Sequence, residues 1–113
     1  MIDIETARRR VSQYLLRTEE KMNAFGSALP KNRDRPKRHL MIVREEEHDF
    51  GWVFFYNCSE YVASKELRLA LAGNAPIIVD RNDGKLYMTG TARPIEHYIS
   101  EYRKGERKLV YPE

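Results

Sequence analysis

Four side chains could do chemistry near neutral pH if the fold brought them together: Cys58 and the histidines His39, His48 and His97. A thiol acts as a nucleophile only with a base in reach, and the histidines are the bases on offer. Their spacing does not decide the matter, and no local protease signature surrounds Cys58. The plainer reading is a small residue at the end of a strand. The histidines form no HExxH-like pattern. The run Glu45-Glu46-Glu47-His48-Asp49 has the oxygen ligands for a hard cation. It lacks the alternation and the central glycine of a calcium loop, so a solvated hairpin tip is the better reading. No glycine-rich phosphate loop is present, because Gly84 and Gly90 stand alone. No catalytic residue, metal ligand or cofactor is therefore assigned. Asn57-Cys58-Ser59 matches the glycosylation sequon, which without an export signal is a chance match.

Two charged features remain. Lys31, Arg33, Arg35, Lys37 and Arg38 form a basic stretch, and Arg8, Arg9, Arg10, Arg17 and Lys21 add positive charge upstream. These could hold phosphates, but no nucleic-acid reader motif accompanies them, and a solvated charged face is the usual meaning. The acidic run lies beside the aromatic segment Trp52-Val53-Phe54-Phe55-Tyr56. Negative charge for steering next to aromatic anchors suits a protein partner. Glu45, Glu46, Glu47, Asp49, Trp52 and Tyr56 are accordingly the candidate partner-binding residues. Against this, one face of an aromatic strand must be core.

The elements that must position these residues follow from the pattern. Ile4, Ala7, Val11, Tyr14, Leu15, Met22 and Phe25 recur at spacings of three and four, predicting an amphipathic helix over 4–25. Asp3 can cap its start, and Gly26 can end it. Residues 26–38 read as a polar basic loop containing Pro30 and Pro36. His39–Arg44 and Trp52–Asn57 read as two strands joined by the acidic tip, with Gly51 a bulge or close-approach position. Their nearly continuous apolar character implies cover on both faces or a central place in the sheet. Glu66–Ala72 could make two helical turns, stopped by Gly73, before the turn Gly73-Asn74-Ala75-Pro76. Ile77–Val79 and Leu86–Met88 read as a second hairpin around Asp83-Gly84. Pro94 opens a final helix with the stripe Ile95, Tyr98, Ile99 and Tyr102, and Gly105 can end it. The tail 106–113 either adds an edge strand or stays loose. The expected fold is α+β: a mainly antiparallel four-stranded sheet of two hairpins, with the N-terminal and C-terminal helices packed on one face.

Composition agrees with one soluble domain over 1–113, its core at about 4–104. The chain has 113 residues, 42% hydrophobic and 33% charged, with net charge +3. That length buries enough surface for a core without staples. A single cysteine forms no internal disulfide, and no apolar run reaches the roughly 18 residues of a membrane span. No signal-peptide pattern opens the chain, so the expected compartment is the cytoplasm. Neither membrane nor nucleic acid is an expected partner.

Read together, several segments resemble a known family. They are Asp49-Phe50-Gly51-Trp52-Val53-Phe54-Phe55-Tyr56-Asn57 and Leu71-Ala72-Gly73-Asn74-Ala75-Pro76-Ile77-Ile78-Val79-Asp80. Asp83-Gly84, Gly90-Thr91-Ala92 and Pro94-Ile95-Glu96 follow, then Tyr98-Ile99 and Tyr102. This combination resembles the immunity protein 35 family, which includes the YrhB-like small bacterial proteins, over about Thr6 to Arg103. The resemblance implies a non-catalytic bacterial protein that binds and neutralises a cognate toxin of a polymorphic toxin system, often one with a papain-like domain. For the YrhB-like branch it implies instead a small heat-stable chaperone that holds clients without ATP. A mean hydropathy of -0.68 is compatible with that alternative. Gly51, Trp52, Gly73, Asn74, Pro76, Asp83, Gly84, Gly90, Thr91 and Pro94 carry the resemblance and read as residues that specify the fold. A monomer or weak homodimer is expected.

Overall fold

The computed structural model describes residues 1–28, 39–58 and 75–110, with side chains of 22–28 left aside. Helix α1 spans Ile4–Ala28, strand β1 Leu40–His48, β2 Gly51–Cys58, β3 Ile77–Asp80 and β4 Leu86–Met88, and helix α2 spans Ile95–Arg103. The strands lie in the order β1-β2-β3-β4, each antiparallel to its neighbour. The α+β class and both hairpins are as the sequence predicts. The turns expected over 66–72, with Gly73 and Asn74, and most of the basic loop 26–38 lie outside the described residues.

Asp3 caps α1, its Oδ1 accepting the Thr6 amide at 2.8 Å. This bond leads the effects that hold the Asp3 carboxyl below its ordinary value. The helix does not end at Gly26, because its backbone continues to Ala28. Ala7, Val11 and Leu15 are buried, as their spacing requires, against Trp52, Phe54, Ile77, Val79 and Leu86.

The helices do not share a face, which corrects the expected arrangement. Side chains alternate along a strand, so Trp52 and Phe54 point one way and Val53 and Phe55 the other. The first set meets α1. The second, with Ile78 and Tyr87, meets Ile95, Ile99 and Tyr102 of α2. Residues 51–54 and 77–80 are all buried, and only cover from two sides achieves that. The apolar runs therefore demanded two separate lids, and the two ends of the chain supply them.

The acidic run also sits differently. Glu45, Glu46 and Glu47 belong to β1, paired with Phe54, Val53 and Trp52. The reversal is Asp49-Phe50. A register shift between Ile42 and Arg44 places a bulge in β1, the edge strand.

Candidate functional site

The end of the β1–β2 hairpin carries most of the candidate residues, and its shape depends on Gly51. There φ is +151°, and a Cβ would lie 2.0 Å from the Val79 carbonyl oxygen. Only glycine lets β2 approach β3 this closely. The turn tucks Phe50 beneath α2, with its ring 4.9 Å from that of Tyr102. His48 stacks on Phe50, at 5.1 Å with ring planes 4° apart.

Every carboxylate of the acidic run meets an arginine. Arg8 of α1 donates to both oxygens of Glu45, at 2.5 and 2.8 Å. Arg103 of α2 does the same for Asp49, at 2.5 and 2.9 Å. Arg44 donates to Glu46, and Arg81 reaches Glu47 at 3.2 Å and the His48 carbonyl at 2.7 Å. The hydrogen bonds from Arg8 and Arg103 hold the Glu45 and Asp49 carboxyls below their ordinary values. The surface is thus charge-balanced, where the residue types alone suggested a negative patch. Glu47 and Asp49 reach furthest out, with side chains 70% and 71% exposed.

Trp52 is not a surface anchor. It is 4% exposed, belongs to the α1 side of the core, and has Arg81 over its ring at 5.0 Å. Its alternation with Val53 directs it inward. Tyr56 is half-buried against the same core, and burial, with Tyr14 nearby, pushes its hydroxyl pKa up. The exposed large apolar side chains of the sheet fall at its two edges, Met41 and Val43 on β1 and Met88 and Leu109 across the sheet.

The groups considered for catalysis are dispersed. Cys58 is fully buried at the end of β2. His39 lies 3.3 Å from Glu19 of α1, His48 lies 3.4 Å from Glu46, and His97 pairs with Glu101 one turn along α2. Among the described residues, no three His, Cys, Asp or Glu side chains are placed to share a metal ion. No helix among them is long and apolar enough to cross a membrane.

One constellation escaped the sequence reading. Asp80 is 5% exposed, and the Tyr102 hydroxyl donates to its Oδ2. The amides of Asn82 and Asp83 donate to its Oδ1 at 2.8 and 3.3 Å, and Arg107 stands 3.8 Å away. Burial would raise this carboxyl, but these partners outweigh it and hold the pKa below the ordinary value. In return, burial and the Asp80 bond push the Tyr102 hydroxyl far up. Beside it, the Tyr87 hydroxyl donates to Asp83 at 2.5 Å, and burial with this bond raises its pKa to about 12. Asp80-Arg81-Asn82-Asp83 is a turn whose first side chain binds its own following amides, the usual work of aspartate before a reversal. That local signal was legible. The tyrosine arriving from α2 was not.

The motif residues are placed by geometry. Gly84 has φ +69°, and a Cβ there would meet Arg10, whose Nη1 donates to the Gly84 carbonyl at 2.5 Å. A Cβ on Gly90 would lie 2.6 Å from the Tyr98 hydroxyl oxygen. The Pro76 carbonyl accepts from Thr89 at 2.5 Å, Pro94 precedes the first turn of α2, and Thr91 lies exposed in the bend between.

The family profile described as Immunity protein 35 matches residues 5–105. The chain is 38% identical over 63 residues to the uncharacterized protein YrhB of Escherichia coli (strain K12), covering 56% of this chain and 67% of that one. No solved structure matches significantly.

Proposed function

The chain belongs to the immunity protein 35 family, and from that premise we propose that it binds a cognate protein toxin and blocks it by steric cover, with no bond made or broken by its own side chains. The observation that carries this reading is the family match over residues 5–105, a span that takes in every helix and strand of the described residues save Ile4 at the start of α1. Such a block acts in the cytoplasm of the cell that makes the toxin.

The hairpin end is the contact surface. Arginines from α1, β1, α2 and the β3–β4 turn brace its carboxylates, so little side-chain entropy is left to lose on docking. Glu47 and Asp49 are the outermost charges, and Met41 and Val43 add exposed apolar area along the same edge strand. The test is co-expression with the toxin encoded beside this gene, scored by survival and by copurification. Protection with a stoichiometric complex is expected, and Glu47→Lys with Asp49→Lys should remove both. A chain that neither protects nor binds refutes the function. Protection that survives the double reversal moves the contact surface elsewhere.

A further inference from the structure

The outer edge of β4 is covered by the chain's own C-terminal residues, which lie beyond the family match. The Met88 amide donates to the Lys108 carbonyl at 2.6 Å, the Val110 amide donates to the Leu86 carbonyl at 3.0 Å, and Tyr87 faces Leu109 across an antiparallel bridge. Val110 is 4% exposed within the α1 side of the core. On the other side Arg107 lies over the Tyr102 ring at 4.0 Å, with its Nε donating to the Tyr102 carbonyl at 3.1 Å. Residues 106–110 therefore clasp β4 from both faces.

The hold is slight. Residues 106–109 are exposed, and one side chain, Val110, is buried. Short segments with few buried contacts open at low free energy. Gly105 immediately precedes the clasp, with φ +89° and open space where a Cβ would be. Its amide and that of Glu106 close the end of α2 on the Tyr102 and Glu101 carbonyls, both at 3.0 Å, so the clasp leaves the fold beyond this cap.

We propose that residues 106–110 are a detachable clasp, and that a second copy of this chain takes the clasp's place when it lifts, β4 pairing with β4 about a two-fold axis. The seat itself argues for this occupant. The clasp sets Val110 opposite Leu86, Leu109 opposite Tyr87 and Lys108 opposite Met88. A two-fold pairing centred on Tyr87 puts Met88, Tyr87 and Leu86 of the second copy at those three places. All three are apolar, and Met88, 51% exposed in the single chain, is covered. The flanking positions pair Lys85 with Thr89 and Gly84 with Gly90, so no like charges oppose one another. The product is a continuous eight-stranded sheet with a self-complementary contact, and an unguarded edge is where such pairing starts.

Hydrogen exchange on the unaltered chain tests the clasp. The Met88 and Val110 amides are expected to exchange much faster than those of Ile78 and Val79. Equal protection overturns the proposal. Val110→Asp in the otherwise unaltered chain tests the occupant, because a buried carboxylate lifts the clasp. Sedimentation over a wide concentration range should show self-association tightened by about tenfold or more, since both copies must open and a closed clasp divides the apparent dissociation constant by the square of its open fraction. Adding Met88→Lys should abolish that dimer. A folded Val110→Asp chain that stays monomeric, or a dimer indifferent to Met88→Lys, overturns the pairing.

Discussion

Tyr102→Phe isolates the bond that ties α2 to the buried turn. The substitution removes one oxygen and leaves the ring, so packing against Phe50 at 4.9 Å and Tyr87 at 5.3 Å stays. No large cavity forms. What is lost is a hydroxyl donating to a buried carboxylate, a class of bond with a net contribution of about 1.5–3 kcal/mol. Asp80 keeps its two amide donors and Arg107 at 3.8 Å. The cost therefore falls toward the lower part of that range, about 2 kcal/mol. At an unfolding entropy of about 2.1 cal/mol/K per residue over 113 residues, the melting temperature should drop by about 8 °C. Tyr87→Phe is the control. Its partner Asp83 is exposed, so water can replace the bond, and the loss should be about 1 kcal/mol or less.

The acid limb provides an independent reading. The folded pKa of Asp80 lies below the ordinary value. A depressed carboxyl contributes stability that is present above its unfolded value, about 3.9, and is lost as pH falls through the folded value. The gap between the unaltered chain and Tyr102→Phe should be full at pH 7 and narrow as pH falls below the ordinary carboxylate range and through the lowered folded value of Asp80. Thermal melts across that range decide it. A Tyr102→Phe loss no larger than that of Tyr87→Phe, or a gap that does not change with pH, would refute the argument.

Gly51→Ala should abolish stable folding or destabilise by several kcal/mol, because its Cβ would lie 2.0 Å from a backbone oxygen that cannot move aside; a cooperative melt near that of the unaltered chain would contradict this. Trp52→Ala should lower stability by about 3–5 kcal/mol, and partner affinity measured well below the melting temperature should then fall no more than for a destabilised variant elsewhere in the core, such as Val11→Ala. Cys58 should resist a thiol reagent in the folded chain, with labelling that keeps pace with global unfolding in denaturant, since its side chain is fully buried; fast labelling under native conditions would show the end of β2 to be open.

The residues that could be read correctly are those whose evidence is local. Asp3 caps α1 because a carboxylate three residues before a free amide needs nothing from elsewhere. The stripe Ala7, Val11, Leu15 and the reversal at Asp83-Gly84 are legible for the same reason. What failed was each inference in which a residue's neighbour lies far along the chain. Glu45, Glu46 and Glu47 looked like a tip because three carboxylates in a row repel and favour solvent. They form a strand because Arg8 and Arg81, 37 and 34 residues away from their partners, neutralise Glu45 and Glu47 from α1 and the next turn. The two-sided burial of β2 was visible in its unbroken apolar run, and it should have forbidden a single covered face. A sheet whose central strands are apolar on both sides needs two lids, and this chain has one amphipathic helix at each end to provide them. The same reasoning places Val110. Leu109-Val110-Tyr111 is the one apolar cluster in a charged tail, and an apolar residue flanked by charge is worth ordering only where a core edge receives it. That edge is β4, so of the two courses the sequence left open for the tail, the burial of Val110 selects edge pairing as far as residue 110.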